Sequence, residues 1–547
     1  MLKQVTQPDF DAIVIGAGIT GMYQTYLLDK MGLKVRGYEA GTDVGGTWYW
    51  NRYPGCRLDT ESYAYGYFAL NGIIPEWQWS ERFAGQPELL RYAQYAADRM
   101  DVRRHYEFEV RVTSAHYDEA QNCWRLTLQD GRTASCRFLL SAVGPLSATR
   151  MPSIPGIESF EGQSFHSSRW PGDDHSARHT DFTGKRVGVI GTGATGVQII
   201  PVVAKTAQQL YVFQRTPNWC APLGNHPLDP GLIDRLRGDP HDFLAFIKTT
   251  DTAFPYQRHP KKAIESTPEE RLALFESLYD MPGYGIWLSG YRDLLTNKVS
   301  NQYLADFIAD KIRSRVKDPV LAEKLIPKNH AFGTRRVPLE TRYYEVYNES
   351  NVELVDIGES PIERITPRGV MVGGRDIELD VLIFATGFDG VTGALDRIDI
   401  RGKDGKRLKD VWADGPQTYL GLQIAGFPNF FTLVGAHNGA SFCNIGVCGA
   451  LQVEWVGRMI DHMRRNSLEY AEANPDYQAS WTEQVYQVYA KTLLADSDAW
   501  WARVTQNPDG TVTRRALIYV GSAPDYRAQC EKAAENGYEG FVLQALG

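Results

Sequence analysis

The stretch Asp11-Ala12-Ile13-Val14-Ile15-Gly16-Ala17-Gly18-Ile19-Thr20-Gly21 decides the fold. A branched apolar run ends there on three closely spaced glycines. Residues 11–17 read as a short buried strand running into a turn, a helix follows to about Lys30, and residues 34–39 form the next strand. Strand, turn, helix and strand in that order open a parallel, doubly wound sheet. Gly16 permits the tight turn, Gly18 lets a pyrophosphate approach the backbone, and Gly21 lets the helix pack on the strand. The helix N-terminus turns its unpaired N–H groups and positive dipole end toward the phosphates. A merely glycine-rich turn gives the same pattern. Glu39 argues for the nucleotide, since it closes the second strand where an acid accepts hydrogen bonds from a ribose diol.

The unit recurs. Strand 187–190 runs into Gly191-Thr192-Gly193-Ala194-Thr195-Gly196, a helical run follows, and strand 210–214 ends on Arg215 and Thr216 with no acid. A guanidinium and a hydroxyl at that register suit a ribose 2′-phosphate, which points to NADP rather than NAD. A solvated surface arginine is the competing reading. Two dinucleotide folds, one with Glu39 and one with Arg215, read together as FAD plus NADPH, with electrons passing from nicotinamide to flavin.

Outward from these units the chain is ordinary in composition. It has 547 residues, enough for three or four units at ~150 residues each, or fewer large ones. Hydrophobic residues make up 43% and charged residues 23%, which excludes a largely disordered chain. The net charge of −8 comes without a basic block, so nucleic acid is not an expected partner. Apolar runs are strand-length, well short of the ~18 residues of a membrane span. Pro8, Asp9 and Asp11 interrupt the opening stretch, so no signal peptide is expected, and neither is a lipid anchor. A soluble, cytoplasmic protein is the expectation. Seven scattered cysteines without a Cys-x-x-Cys pair argue against a zinc site or a disulfide framework, and ordinary reduced thiols are expected.

Residues 106–144 alternate with period two around the Asp130-Gly131 turn, as a hairpin or meander does, and run into a buried stretch at 138–143. Residues 156–184 read as a polar linker. From 226 to 328 a mostly helical insertion is expected: Thr267-Pro268 starts one helix, with Leu272, Phe275 and Leu278 at helical spacing, and 303–315 forms another. Residues 352–356 and 380–386 read as strands returning to a sheet, and 452–464 as an amphipathic helix.

One family resembles this arrangement closely. Phe160-Glu161-Gly162-Gln163-Ser164-Phe165-His166-Ser167-Ser168-Arg169-Trp170-Pro171 matches the fingerprint F-x-G-x-x-x-H-x-x-x-W-P of type I Baeyer–Villiger monooxygenases. Gly45-Gly46-Thr47-Trp48, Tyr53-Pro54-Gly55 and Asp59 match the family's longer signature, and Ala385-Thr386-Gly387 its short return strand. The resemblance runs from about residue 10 to the C-terminus. It implies an α/β fold of two Rossmann-like dinucleotide-binding domains with a mostly helical insertion. The FAD domain would comprise 1–147 and 386–547, the NADP domain 148–225 and 331–385, and the insertion 226–330.

The resemblance also implies the chemistry. NADPH reduces FAD, O2 adds to give a C4a-peroxyflavin, and one oxygen atom enters beside a ketone carbonyl to give an ester or lactone. Arg336 aligns with the arginine over the flavin, where a guanidinium keeps the peroxide anionic and stabilises the tetrahedral adduct's oxyanion. Asp59 aligns with the carboxylate that orients it. By the same analogy Gly16, Gly18, Thr20, Gly21, Glu39, Gly46, Thr47, Trp48, Asp59 and Tyr65 serve FAD. Gly191, Thr192, Gly193, Ala194, Thr195, Gly196, Gln198, Arg215, Thr216 and Arg335 serve NADP.

Arg335 stands where relatives usually carry lysine, which retains charge but not geometry. His166 is read as ordering the join between domains rather than as a general base. Trp500 aligns with a tryptophan on a mobile loop touching the nicotinamide side, although Trp501-Ala502-Arg503-Val504 departs from the usual continuation. That tail, Arg215-Thr216-Pro217-Asn218-Trp219 and Ala436-His437-Asn438-Gly439 look most like the branch oxidising a trimethylcyclopentenylacetyl-CoA intermediate of terpene (camphor) breakdown. A small ketone and O2 are the implied partners, and a homodimer is what relatives suggest. Two alternatives stay open: a flavin monooxygenase acting on nitrogen or sulfur, and a non-catalytic dinucleotide-binding redox sensor.

Overall fold

The computed structural model describes residues 7–67, 76–172, 181–238, 240–438 and 443–545. Gly439 and residues 173–180 of the expected linker lie outside them. Two large sheets, of eight and five strands, organise the described residues. In the first, Tyr106–Glu107, Val35–Tyr38, Phe10–Ile15 and Thr133–Ser141 run parallel, with Ile13 opposite both Arg36 and Leu139. Thr133–Ser141 then continues antiparallel into Cys123–Leu128 and Val112–Asp118, the expected meander. Ala12, Ile13 and Val14 of the central strand are wholly buried, as in a strand covered on both faces.

Late segments of the chain close this first sheet. Phe430–Thr432 lies parallel to residues 139–141, and Asp399–Arg401 lies parallel to residues 114–116. The helix Ile445–Arg465 packs on the first helix, Ile19–Lys30, through small residues: a Cβ on Gly449 would stand 3.0 Å from Thr20 Oγ1, and one on Gly457 2.5 Å from Leu27 Cδ2. Small residues at such a crossing let two backbones approach closely enough to bury the strip between them.

The second sheet is all parallel, in the order Val352–Asp356, Gln209–Gln214, Arg186–Ile190, Val381–Phe384, Gln163–His166. Both strands expected to return to a sheet do so here. One expectation is corrected: the stretch read as linker supplies the edge strand Gln163–His166, paired with Val381–Phe384. Its polar composition misled because an edge strand needs only one buried neighbour and tolerates polar side chains outward.

The insertion is helical, with Pro268–Asp280 and Lys298–Arg315 its longest described helices. Thr267 caps the former in a reciprocal box with Glu270. Phe275 and Leu278 are buried, but Leu272 stays exposed on the same helix. The tail carries more strand than expected: Ala502–Gln506 pairs with Val512–Ala516, and Tyr470–Ala473 with Phe541–Gln544. The thiol expectation is corrected too. Cys443 and Cys448 are joined as a disulfide across the start of the helix Ile445–Arg465, with Cα atoms 6.3 Å apart, a spacing a disulfide spans. The other five cysteines are free and buried. Among the described residues no helix is long and apolar enough to cross a membrane, and no His/Cys/Asp/Glu group could hold a metal.

Candidate active site

Both glycine turns take the geometry their spacing demands. Gly16 has φ +106°, where L side chains are strained, and a Cβ there would lie 2.6 Å from Ala142 O. Gly191 repeats this with φ +110° and Ala385 O at 2.5 Å. One turn further, a Cβ on Gly21 or Gly196 would strike the carbonyl of Gly16 or Gly191 at 2.0 and 2.2 Å, so each helix lies tight on its strand. At Gly193 a Cβ would meet nothing within 4 Å, which leaves the space a pyrophosphate needs before the helix Ala194–Val203. Gly46 backs onto Gly18, its Cβ position 2.8 Å from Gly18 Cα, so the turn carrying Gly46 and Thr47 borders the first phosphate loop. Thr20 faces Gly449 instead, at the helix crossing.

The second strands end on the residues expected to meet the two riboses. Glu39 is buried and accepts backbone N–H bonds from Ala17 at 2.8 Å and Gly41 at 2.7 Å. One bond per oxygen fixes its rotamer and leaves lone pairs for a ribose diol. Arg215 is exposed at the end of Gln209–Gln214, and Thr216 lends its carbonyl to the Thr192 hydroxyl at 3.1 Å. Arg335 lies close enough to Arg215 for the two cations to repel. Burial, together with that repulsion, pulls Arg335 below the usual guanidinium range, against the attraction of Asp498. Arg335 Nε is buried without a partner. Two crowded guanidinia with an unspent donor form a charge pattern that a phosphate dianion completes.

Trp48 and Tyr65 form one unit: the indole N–H donates to the phenol oxygen at 2.9 Å, and the rings meet edge to face at 5.9 Å. Burial pushes Tyr65 up to about 12. Thr195 hydrogen-bonds Tyr53, whose hydroxyl donates to Gln198 Oε1 at 2.8 Å.

Gln198 leads to the centre of the site, a node at Asp59. One carboxylate oxygen, Oδ2, accepts from Arg336 Nη2 at 2.9 Å and from the Tyr284 hydroxyl at 3.0 Å. The other, Oδ1, accepts from Gln198 Nε2 at 3.3 Å. Asp59 comes from the chain after the first glycine unit, Gln198 from the second unit's helix, and Tyr284 from the insertion. The carboxylate is thus the point where all three regions meet. Burial pushes its acid up, and Arg336 and Tyr284 oppose that. The Arg336 guanidinium is held protonated by Tyr284 and Asp59, against the cost of burial. Asp59 has 4% of its side chain accessible while Arg336 keeps 40%. The open face of the guanidinium is what an incoming anion would meet.

The remaining expected residues separate from this node. Trp500 packs against Gly390, where a Cβ would lie 2.8 Å from its ring, while Trp501 is buried. Asp498 sits within electrostatic reach of Arg335. His166 bonds through Nε2 to Gly387 O at 3.0 Å and through Nδ1 to Ser168 Oγ at 2.9 Å, and burial lowers its basicity. It joins the edge strand to the segment after Val381–Phe384. Sequence reasoning missed Tyr284 and the pair behind it, Tyr256 and Glu61. No motif surrounds them, and only the fold brings them beside Asp59.

A family model described as flavin-binding monooxygenase-like matches residues 11–224. The 2-oxo-Δ3-4,5,5-trimethylcyclopentenylacetyl-CoA monooxygenase of Pseudomonas putida is 62% identical over 99% of this chain and 100% of its own length. The acetone monooxygenase (methyl acetate-forming) of Gordonia sp. is 39% identical over 97% of this chain and 99% of its own. A crystal structure of OTEMO in complex with FAD and NADP superposes with a TM-score of 0.96 at 61% identity, covering 98% of this chain and 100% of that one.

Proposed function

Because the chain belongs to the flavin-binding Baeyer–Villiger monooxygenase family, we propose that it uses FAD and NADPH to insert one oxygen atom from O2 beside a ketone carbonyl, giving an ester or lactone. Bound FAD, reduced by NADPH, supplies the activation of O2, and the second oxygen atom leaves as water. We take residues 1–147 and 386–547 as the FAD domain, 148–225 with 331–385 as the NADP domain, and 226–330 as the insertion. Glu39 receives the ribose of the first nucleotide. Arg215, Arg335 and Thr216 receive the 2′-phosphate of the second, and Gly193 leaves its pyrophosphate room.

Arg336 carries the reading. It is a fixed cation on a buried carboxylate, with an open face at the meeting of the two nucleotide units. There it stabilises negative charge on oxygen as the carbonyl carbon is attacked, and a preorganised donor of this kind contributes ~3–4 kcal/mol. Asp59 holds the guanidinium in place and charged. No protein nucleophile is needed. The likeness to a CoA-ester monooxygenase supports a cyclic, terpene-derived ketone, including CoA-linked ones, as substrate. Cytoplasmic location and a homodimeric state belong to the same proposal, the latter read by light scattering.

The test is a panel of linear, monocyclic, bicyclic and CoA-linked ketones, with a thioether beside them. NADPH consumption and product identity are followed on the FAD-loaded protein. Esters or lactones from the cyclic members are the expected result. Sulfoxide formation with no ester from any ketone would replace the reading with heteroatom oxygenation.

A further inference from the structure

Arg336 reaches Asp59 through a single nitrogen, Nη2, on a single oxygen, Oδ2. One such bond sets a distance, and the second hold on the guanidinium is the Tyr284 hydroxyl. The direction of Arg336 therefore depends on Oδ2 and on the phenol oxygen together. Oδ2 is fixed chiefly by its other donor, the Tyr284 hydroxyl at 3.0 Å, since the Gln198 contact on Oδ1 is longer at 3.3 Å. The same hydroxyl also hydrogen-bonds Arg336 itself.

Tyr284 is itself held with unusual care for a residue in an insertion. It is buried, and its ring meets Phe254 at 5.9 Å and Trp287 at 5.3 Å, edge to face in both cases. Its backbone N–H donates to the Tyr256 hydroxyl at 3.0 Å. Tyr256 in turn donates to Glu61, a carboxylate with no accessible side-chain surface that Arg82 meets at 3.2 Å. The turn before Tyr284 closes over this pair: Gly283 has φ +88°, and a Cβ there would lie 2.2 Å from Tyr256 Oη. A second buried ion pair thus fixes the turn from which Tyr284 reaches the first.

We propose that Tyr284 is a positioning residue for Arg336, acting both directly and through Asp59, and held in place by Tyr256 and Glu61. The proposal rests on the functional reading above and extends it to the insertion. Asp59 and Arg336 bring the first and second nucleotide units together, and Tyr284 makes the insertion the third party to that contact. The charge that meets the reacting oxygen is then aimed only when all three are docked.

The phenol's bond favours the ionised carboxylate, so losing it raises the pH at which Asp59 ionises. In Tyr284→Phe the acid limb of the kcat profile for ester formation therefore moves to higher pH. At neutral pH the ester rate falls about 10-fold, the loss of one hydrogen bond to a charged group. Peroxide released per NADPH rises in proportion. Flavin reduction by NADPH, FAD content and the thermal midpoint stay near the wild-type values. A crystal structure of the variant should show Arg336 turned from its single position. Tyr256→Phe, which loosens the turn from behind, moves the acid limb the same way by less.

The double-mutant cycle with Asp59→Ala measures whether the three side chains act as a unit. If Tyr284, Asp59 and Arg336 act as one unit, removing the hydroxyl in the Asp59→Ala background costs clearly less than the roughly 10-fold it costs in the unaltered protein. Multiplying losses, an unmoved acid limb, or an unchanged Arg336 in the variant's crystal structure would each overturn the proposal. Ester formation by the unaltered protein in the same assay tests the functional reading separately, so failure of one is not mistaken for failure of the other.

Discussion

Arg215 and Arg335 show how much a single position carries. Arg215 was legible because it stands where a strand ends, at the register of Glu39 in the first unit. Its neighbour Arg335 was legible only by family likeness, and its unpaired, buried Nε comes from the fold. If the two receive a 2′-phosphate, Arg215→Ala raises KM for NADPH about 10-fold or more and leaves NADH use unchanged, which steady-state kinetics with both cofactors reads. Equal losses with both would mean a folding defect instead. Tyr284 marks the opposite limit of legibility. It lies 225 positions from Asp59 in the chain, in a segment whose composition reports only helix, and nothing local distinguishes it from an ordinary core tyrosine.

At the scale of elements, the strand–turn–helix units were readable from their glycines because the steric demand is local. Gly21 illustrates the strength of that demand. A methyl at this position meets a backbone carbonyl at 2.0 Å that cannot move without parting helix from strand. Gly21→Ala should therefore cost at least ~2 kcal/mol of stability, in the range of overpacked sites, and the purified protein should retain little flavin. The flavin-to-protein absorbance ratio and the thermal midpoint together check this, and a normal ratio would contradict it. The edge strand Gln163–His166 was misread for the converse reason. Its pairing with Val381–Phe384 is decided by sheet order across more than two hundred residues, and period and composition are blind to such order. The Cys443–Cys448 bond was missed likewise, since cysteine spacing says little until a helix start sets the distance.

On the scale of the whole molecule, the site is a junction, and burial also sets the pH response of the fold. His437 is fully buried, donates through Nε2 to Ala516 O at 3.0 Å, and is held down to about 4 by that burial. The unfolded chain takes up this proton first, so the contribution of His437 to stability is complete above pH 6.5 and is lost as pH falls toward 4. The loss amounts to about 3 kcal/mol across that window. Thermal midpoints taken from pH 7 to 4 should fall more steeply in the unaltered protein than in His437→Gln; parallel curves would contradict the assignment. The same junction logic governs catalysis, where three regions of chain must meet before one guanidinium is aimed. Its most direct test is Arg336→Ala. Rapid-mixing and product analysis should find flavin reduction by NADPH within about twofold of normal and ester output lowered by roughly 10²–10³. Ester or lactone formed at the ordinary rate by that variant would contradict the account.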